Sequence, residues 1–303
     1  MENELKIVPQ RKAAAEGNFY PEGRPAIGPG MNERIRRLRK LSVETEPSLS
    51  IERALQETAF YKANYGKHSI PMLRALNFLD HCRKKTLYLG ADELIVAERG
   101  PKPKSVPTFP ELTCHSVEDF HVLNTRDQQR YTISEEDIAT YAREVVPYWQ
   151  GKTIRERIFS HVPDEWRAAY EAGLFTEFME QRAPGHTALD GQIYRKGMLD
   201  FKKQIATELA ALDFLNDPEA TDKSEELKAM DISCDAVIVF AERHADLAEQ
   251  MAASESDPQR VAELQKIAEV CRWVPANAPR TFHEAIQMYW FVHLGTITEL
   301  NGW

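Results

Sequence analysis

The segment from Leu174 to Asp190 concentrates side chains able to do chemistry, reading Leu-Phe-Thr-Glu-Phe-Met-Glu-Gln-Arg-Ala-Pro-Gly-His-Thr-Ala-Leu-Asp. Ala183-Pro184-Gly185 imposes a turn, so Arg182 and His186 stand on its two flanks and can converge on one small volume. An arginine placed there can hold a carboxylate through paired hydrogen bonds, and an imidazole can donate to or accept from a hydroxyl. The same residues also admit a plain structural role, with Arg182 paired to Glu180 or Glu177 and His186 capping the helix that follows. Other groupings are weaker. Glu118-Asp119-Phe120-His121 has the Glu-x-x-His spacing of di-iron helix bundles, but such sites need two units and two further glutamates, and the sequence supplies one unit. His244 and His293 fall within apolar helical stripes and read as core histidines. The sequence has no glycine-rich phosphate loop, no nucleophile elbow and no His-Glu-x-x-His.

The elements that must position these groups are mainly α-helical. Residues 1–30, with Pro9, Pro21, Pro25 and Pro29, read as an extended N-terminal arm. Asn32 to Lys40 is a basic helix with Ile35 and Leu38 on one side, a solvated face rather than a phosphate or lipid surface. Ser50 caps a helix reaching about Tyr65, and Ile70 to Arg83 carries Leu73, Leu76 and Leu79 on one stripe. Pro101, Pro103, Pro107 and Pro110 make Glu98 to Glu111 an extended surface loop. Ser134 with Asp137 opens a helix toward Pro147, and Asp164 opens another that stops near Gly173.

The last third is the clearest. Met198, Phe201, Ile205, Leu209 and Leu212 mark one helix, and Leu227, Met230, Cys234, Val237, Ala241, His244, Ala248 and Met251 stripe a longer one. Asp257-Pro258 starts a third, with Val261, Leu264 and Cys271. Thr281 and Glu284 make a capping box for a fourth, whose Ile286 to Leu294 is apolar almost all round. An open apolar surface around Trp290 to Trp303 is therefore expected, and with it association with a second copy or a partner. No strand-rich stretch stands out.

Composition narrows the function classes. A net charge of -9 over 303 residues argues against nucleic acid as the main partner, since such binders need a net basic face. Cys82, Cys114, Cys234 and Cys271 lie far apart, fitting neither a disulfide framework nor a zinc site. The N-terminus lacks a secretory apolar run, and the stretch Met288 to Leu294 is too short to span a bilayer. A cytoplasmic protein with no membrane partner and no bound metal is expected.

Several motifs resemble the N-terminal region of the glycyl radical enzymes, the pyruvate formate-lyase-like family. They are Glu98-Arg99-Gly100 after Asp92-Glu93-Leu94-Ile95-Val96, the Glu-Glu-Asp run before Pro147-Tyr148-Trp149, and Ile286-Gln287-Met288-Tyr289-Trp290-Phe291. The likeness runs from residue 31 to 303. Glu177-Phe178-Met179-Glu180-Gln181-Arg182-Ala183-Pro184-Gly185-His186-Thr187 is similar in particular to the 4-hydroxyproline dehydratases of that family. The resemblance implies the N-terminal part of a ten-stranded α/β barrel wrapped in helices, in a homodimer, with a small-molecule substrate. It also implies a lyase with no directly bound cofactor, whose glycyl radical is installed near the C-terminus by an S-adenosylmethionine-dependent activase. By the same resemblance Phe178 packs on the substrate ring and His186 lies near its hydroxyl, so both are substrate-binding positions. Arg182 matches an arginine that contacts the sulfonate in the related isethionate sulfite-lyases, which carry glutamine at the position of His186.

The family's reactive cysteine is followed two residues later by glutamate, whereas here Cys82, Cys114, Cys234 and Cys271 are followed at that distance by Lys84, Ser116, Ala236 and Trp273. The C-terminal radical motif is absent from these residues too. The expectation is an N-terminal portion, inactive alone, of a dehydratase acting on a hydroxylated amino acid. The alternatives are a sulfite-lyase of the isethionate type and, in another class, a catalytically dead helical protein that binds a partner.

Overall fold

The computed structural model describes residues 33–175 and 189–300. They fall into two units, one ending at Glu44 and the other beginning at Thr45. In the first, helix α1 (Glu33–Glu44) buries no residue, as expected for a solvated basic helix.

In the second unit, α2 (Glu52–Asn64) and α3 (Ile70–Lys84) are followed by a long irregular stretch and then α4 (Val117–Thr125), α5 (Glu135–Glu144) and α6 (Val146–Trp149). Next come α7 (Ile154–Phe159), α8 (Asp164–Glu171) and, after a short 3-10 turn over Asp190–Tyr194, α9 (Met198–Ala210). The chain closes with α10 (Ala220–Ser254), α11 (Pro258–Trp273) and α12 (Phe282–Leu300). Among the described residues the sheet is limited to β1 (Ser48–Ser50) and β2 (Ser105–Pro107), paired in parallel with Leu49 opposite Val106.

Side-chain caps set many of these boundaries. Ser134 Oγ accepts the Asp137 N–H at 3.1 Å to open α5, and Asp257 Oδ1 accepts the Gln259 N–H at 3.0 Å to open α11. At α12, Thr281 Oγ1 accepts the Glu284 N–H at 3.2 Å, while the Glu284 carboxylate takes the Arg280 N–H at 2.6 Å. Two expectations shift. Ser50 belongs to β1, so Ile51 holds the cap position of α2 and Ser50 Oγ makes a 3.3 Å contact to the Glu52 N–H. The proline-rich stretch is more than a surface loop. It contains β2 and buries Ser105, Thr108 and Phe109, because the prolines sit where no ladder N–H is required.

The main core lies where α3, α11 and α12 meet the 35-residue α10. Ala236, Ala241, Ala245 and Ala248 on α10 are fully buried or nearly so, and small side chains there let neighbouring helices approach closely. Met230 departs from the expected stripe and is exposed. His244 is a core histidine as expected: its Nδ1 donates to the Phe240 carbonyl at 2.8 Å, and its ring meets Phe240 edge-on.

The open apolar surface expected from Trp290 onward is not found among the described residues. Phe291, Val292, Leu294 and Ile297 are buried, because partners within this chain, chiefly α3, α10 and the stretch Leu89 to Ala97, cover them. Exposure lies on the other side of α12, at Phe282, Ile286 and Tyr289.

The motifs that resemble those of the glycyl radical enzymes have structural duties here. Arg260 donates to the carbonyls of Gly90 and Glu93, each at 2.9 Å. Gln287 accepts the Val96 N–H at 2.8 Å and donates to the Val96 carbonyl at 2.9 Å. The Trp290 indole donates to the Ala97 carbonyl at 2.8 Å, and buried Lys85 donates to the carbonyls of Glu98 and Arg99, both at 3.1 Å. A side chain on Gly100 would collide with the Ser105 carbonyl, which explains a glycine at the end of Glu98-Arg99-Gly100. Trp149 is likewise a core residue, its indole donating to Thr58 Oγ1 at 2.8 Å.

Candidate functional site

A groove of about 1050 Å³ opens between α3, α9, α10 and α12. The four amphipathic helices build it by turning part of their apolar faces toward one another without meeting. Phe78, Phe201, Ile205, Leu227 and Val237 line its floor, and Gly295 supplies no side chain on the α12 wall. Leu189 and Asp190 stand at its edge, with both backbones in the left-handed region at φ 69° and 49°. The volume is at the upper end for small-molecule sites, and the lining mixes apolar side chains with polar ones such as Arg74, Gln204, Glu226 and Glu299.

One end of the groove runs into a buried cluster of charges. Arg74 Nε donates to Glu299 Oε1 at 2.8 Å, and both residues line the groove. Behind them Arg53 is 3% exposed. Its guanidinium forks onto Glu111 at 2.7 and 3.1 Å, its Nε donates to the Thr298 carbonyl at 2.9 Å, and its Cζ lies 4.1 Å from the Phe109 ring centre. Glu57, 4% exposed, accepts from Asn77 Nδ2 at 2.7 Å and stands 3.5 Å from Arg53. Burial pushes the Glu57 carboxyl up to about 8, with Arg53 opposing and Glu111 reinforcing the shift. Burial also raises the Glu299 carboxyl, against the pull of Arg74.

The thiols are not activated. Burial pushes Cys82 and Cys271 up to about 12 and Cys234, at the groove wall, to about 11; it also raises Cys114, near the Tyr141 hydroxyl. A thiol in such surroundings is a small apolar side chain rather than a nucleophile. Among the described residues no group of three His, Cys, Asp or Glu is placed to hold a metal ion. Glu118 and His121 lie on the exposed face of α4, with the imidazole 3.9 Å from Glu135. The described residues thus offer a binding cleft and a buried charge cluster.

Phe178, Arg182 and His186 lie outside the described residues. The chain enters that segment from an aromatic cluster, in which Trp166 stacks on Tyr170 at 5.5 Å and meets Phe175 at 5.0 Å. Arg155 Nη2 donates to the Tyr170 hydroxyl at 2.6 Å. It leaves the segment at Leu189, on the edge of the groove. Sequence reasoning missed the groove and the charge cluster. Arg53, Glu57 and Asn77 carried no signal beyond their positions in two amphipathic helices.

The model of the pyruvate formate lyase-like family matches residues 31–303. The chain belongs to that family. It is 48% identical over 274 residues to the trans-4-hydroxy-L-proline dehydratase of Clostridioides difficile, covering 90% of this chain and 35% of the relative. It is 31% identical to the isethionate sulfite-lyase of Nitratidesulfovibrio vulgaris (strain Hildenborough), covering 87% of this chain and 33% of that one. The crystal structure of the Clostridioides difficile hydroxyproline dehydratase with trans-4-hydroxy-L-proline bound matches with a TM-score of 0.86 at 48% identity, over 90% of this chain and 35% of that one. The glycerol-bound B12-independent glycerol dehydratase of Clostridium butyricum matches with a TM-score of 0.84 at 29% identity, over 91% and 36%. The chain spans about a third of the length of the curated relatives it matches. Among the described residues, no helix is long and apolar enough to cross a membrane.

Proposed function

We propose that residues 31–303 form the N-terminal portion of a glycyl radical dehydratase that eliminates water from a hydroxylated amino acid, with trans-4-hydroxy-L-proline as the first candidate. Residues 1–30 precede it as an arm. The observation that carries this reading is 48% identity to a trans-4-hydroxy-L-proline dehydratase across 90% of the chain, against 31% to an isethionate sulfite-lyase. The sulfite-lyase reading is accordingly the lesser one.

In this proposal Phe178 packs on the substrate ring, Arg182 holds a carboxylate, and His186 donates a hydrogen bond to the hydroxyl that leaves. As the carbon–oxygen bond breaks, negative charge develops on that oxygen, and a donor at His186 supplies a proton or a dipole at the atom where it is needed. In this proposal the glycyl radical and the cysteine whose thiyl radical it generates, which abstracts the substrate hydrogen, lie outside residues 31–303. A separate activase, a homodimeric assembly and a cytoplasmic location complete the proposal.

The test is steady-state kinetics on the assembled, activated enzyme. His186→Gln should lower turnover on hydroxyproline by about two orders of magnitude, the usual contribution of one general acid. Unchanged turnover with a lowered melting temperature would leave His186 a capping residue. Sulfite release from isethionate would favour the lyase reading instead.

A further inference from the structure

The charge cluster at the end of the groove has an uneven count. Among the described residues three carboxylates, Glu57, Glu111 and Glu299, pair with two guanidiniums, Arg53 and Arg74, while the Arg99 guanidinium stands farther off, 5.9 Å from the Phe109 ring centre. Each guanidinium has its short bonds to a carboxylate other than Glu57. Arg74 gives both Nε and Nη2 to Glu299, and Arg53 gives its fork to Glu111 and its Nε to the Thr298 carbonyl. Glu57 keeps a longer 3.5 Å ion pair with the Arg53 Nη2, whose short bond goes to Glu111, and one short bond from a neutral amide, Asn77. At 4% exposure it has little water to solvate a charge. A buried carboxylate in that position is relieved most simply by taking up a proton.

We propose that Glu57 is a protonated carboxylic acid in the folded chain, and that its ionisation loosens the last turn of α12, which Arg53 holds through Thr298 and which forms the Arg74–Glu299 end of the groove. An ionised Glu57 competes with Glu111 for the Arg53 nitrogen that stands near both. Drawing the guanidinium toward Glu57 lengthens its bond to the Thr298 carbonyl, and the last turn of α12 loses its anchor. The groups that act on Glu57 are Arg53 on α2, Asn77 on α3, Glu111 from the stretch after β2 and Glu299 on α12; the Tyr61 phenol on α2 senses Glu57 in turn, Arg74 on α3 acts on Glu299, and Arg99, after the Leu89 to Ala97 stretch, stands near Arg53. His81 on α3 senses Arg53 and is kept neutral by burial. On α5, Tyr141 faces Cys114 rather than Glu57.

The sign of the pH effect follows from the excess proton. The folded chain holds it up to about pH 8, whereas the unfolded chain releases it near 4.5, so stability falls as pH rises through that window and levels off above it. In the intact protein, the melting temperature should decline across the window with a slope corresponding to one bound proton. Glu57→Gln, which keeps the shape and cannot ionise, should remove that part of the decline. Amide exchange in the last turn of α12 should quicken above about pH 8 in the natural protein and stay slow in the variant. Parallel pH profiles for the two proteins would overturn the proposal. Should Glu57→Gln fail to fold, infrared difference spectra of the natural protein decide: the band of a buried carboxylic acid, present at neutral pH and lost on alkaline titration, supports the assignment, and a carboxylate at neutral pH ends it.

Discussion

Past its capped first turn, α12 meets the stretch before Gly100 through uncharged groups, Gln287 bonding both sides of Val96 and Trp290 bonding Ala97, whereas its last turn is fixed by Arg53 within a cluster of buried charges. Both arrangements satisfy backbone polar groups that the fold hides from water. They differ in what they cost and in what they respond to. A buried amide that pairs with one peptide on both sides leaves nothing unpaired and does not titrate. A buried guanidinium must be balanced by carboxylates, and an extra carboxylate brings pH into the stability of the helix end.

The largest expected effect is at the charged end. Arg53→Ala strands Glu57 and Glu111 in the interior together, and breaking such a pair from one side costs about 3 to 5 kcal/mol. Denaturant unfolding should show the loss to be greater above pH 8 than near pH 5, because the ionised carboxylates it uncovers repel one another. Equal losses at the two pH values would break the contrast drawn here.

Next comes the uncharged contact with Val96. Gln287→Ala leaves the Val96 N–H and carbonyl without partners, at about 1 to 3 kcal/mol for each buried group. That loss should be the same at both pH values when measured by the same unfolding curves. A pH-dependent loss would mean that the two ends of α12 are coupled.

The smallest effect is expected where charges pair in solvent. Arg272 on α11 bonds Asp246 and Glu249 on α10 with its side chain 42% exposed, so Arg272→Ala should cost no more than about 1 kcal/mol, and less at high salt. A loss matching that of Arg53→Ala would show that burial is not what separates the two arginines.

Much of the helical frame was legible because it depends on local rules. Asp257-Pro258, Ser134 with Asp137, and Thr281 with Glu284 mark helix starts through bonds that span two or three residues. The stripe of Cys234, Val237, Ala241 and His244 marks a buried face through its period alone. The capping box of Thr153 and Glu156 was equally local and went unread among the charges of its segment. The candidate site residues stand differently: Phe178, Arg182 and His186 drew meaning from a resemblance of motif, bare spacing left them ambiguous, and they lie outside the described residues.

Other features have no local signature. Ala97 takes a left-handed backbone at φ 94° while buried, held there by the Trp290 indole and the packing of α12, and an alanine announces no such turn. Arg53 finds the Thr298 carbonyl 245 residues away, so nothing near it in the chain reveals that it is an anchor rather than a surface arginine. The sequence by itself determined which segments are helices and which faces of them are apolar, because periods and caps act over a few residues. The tertiary structure alone decided that α12 is covered by α3, α10 and the stretch before Gly100, that a groove opens beside it, and that three carboxylates share two arginines at its end. Those outcomes depend on which distant elements displace water from one another, and burial of that kind sets both the strength of a polar contact and the charge a side chain can carry.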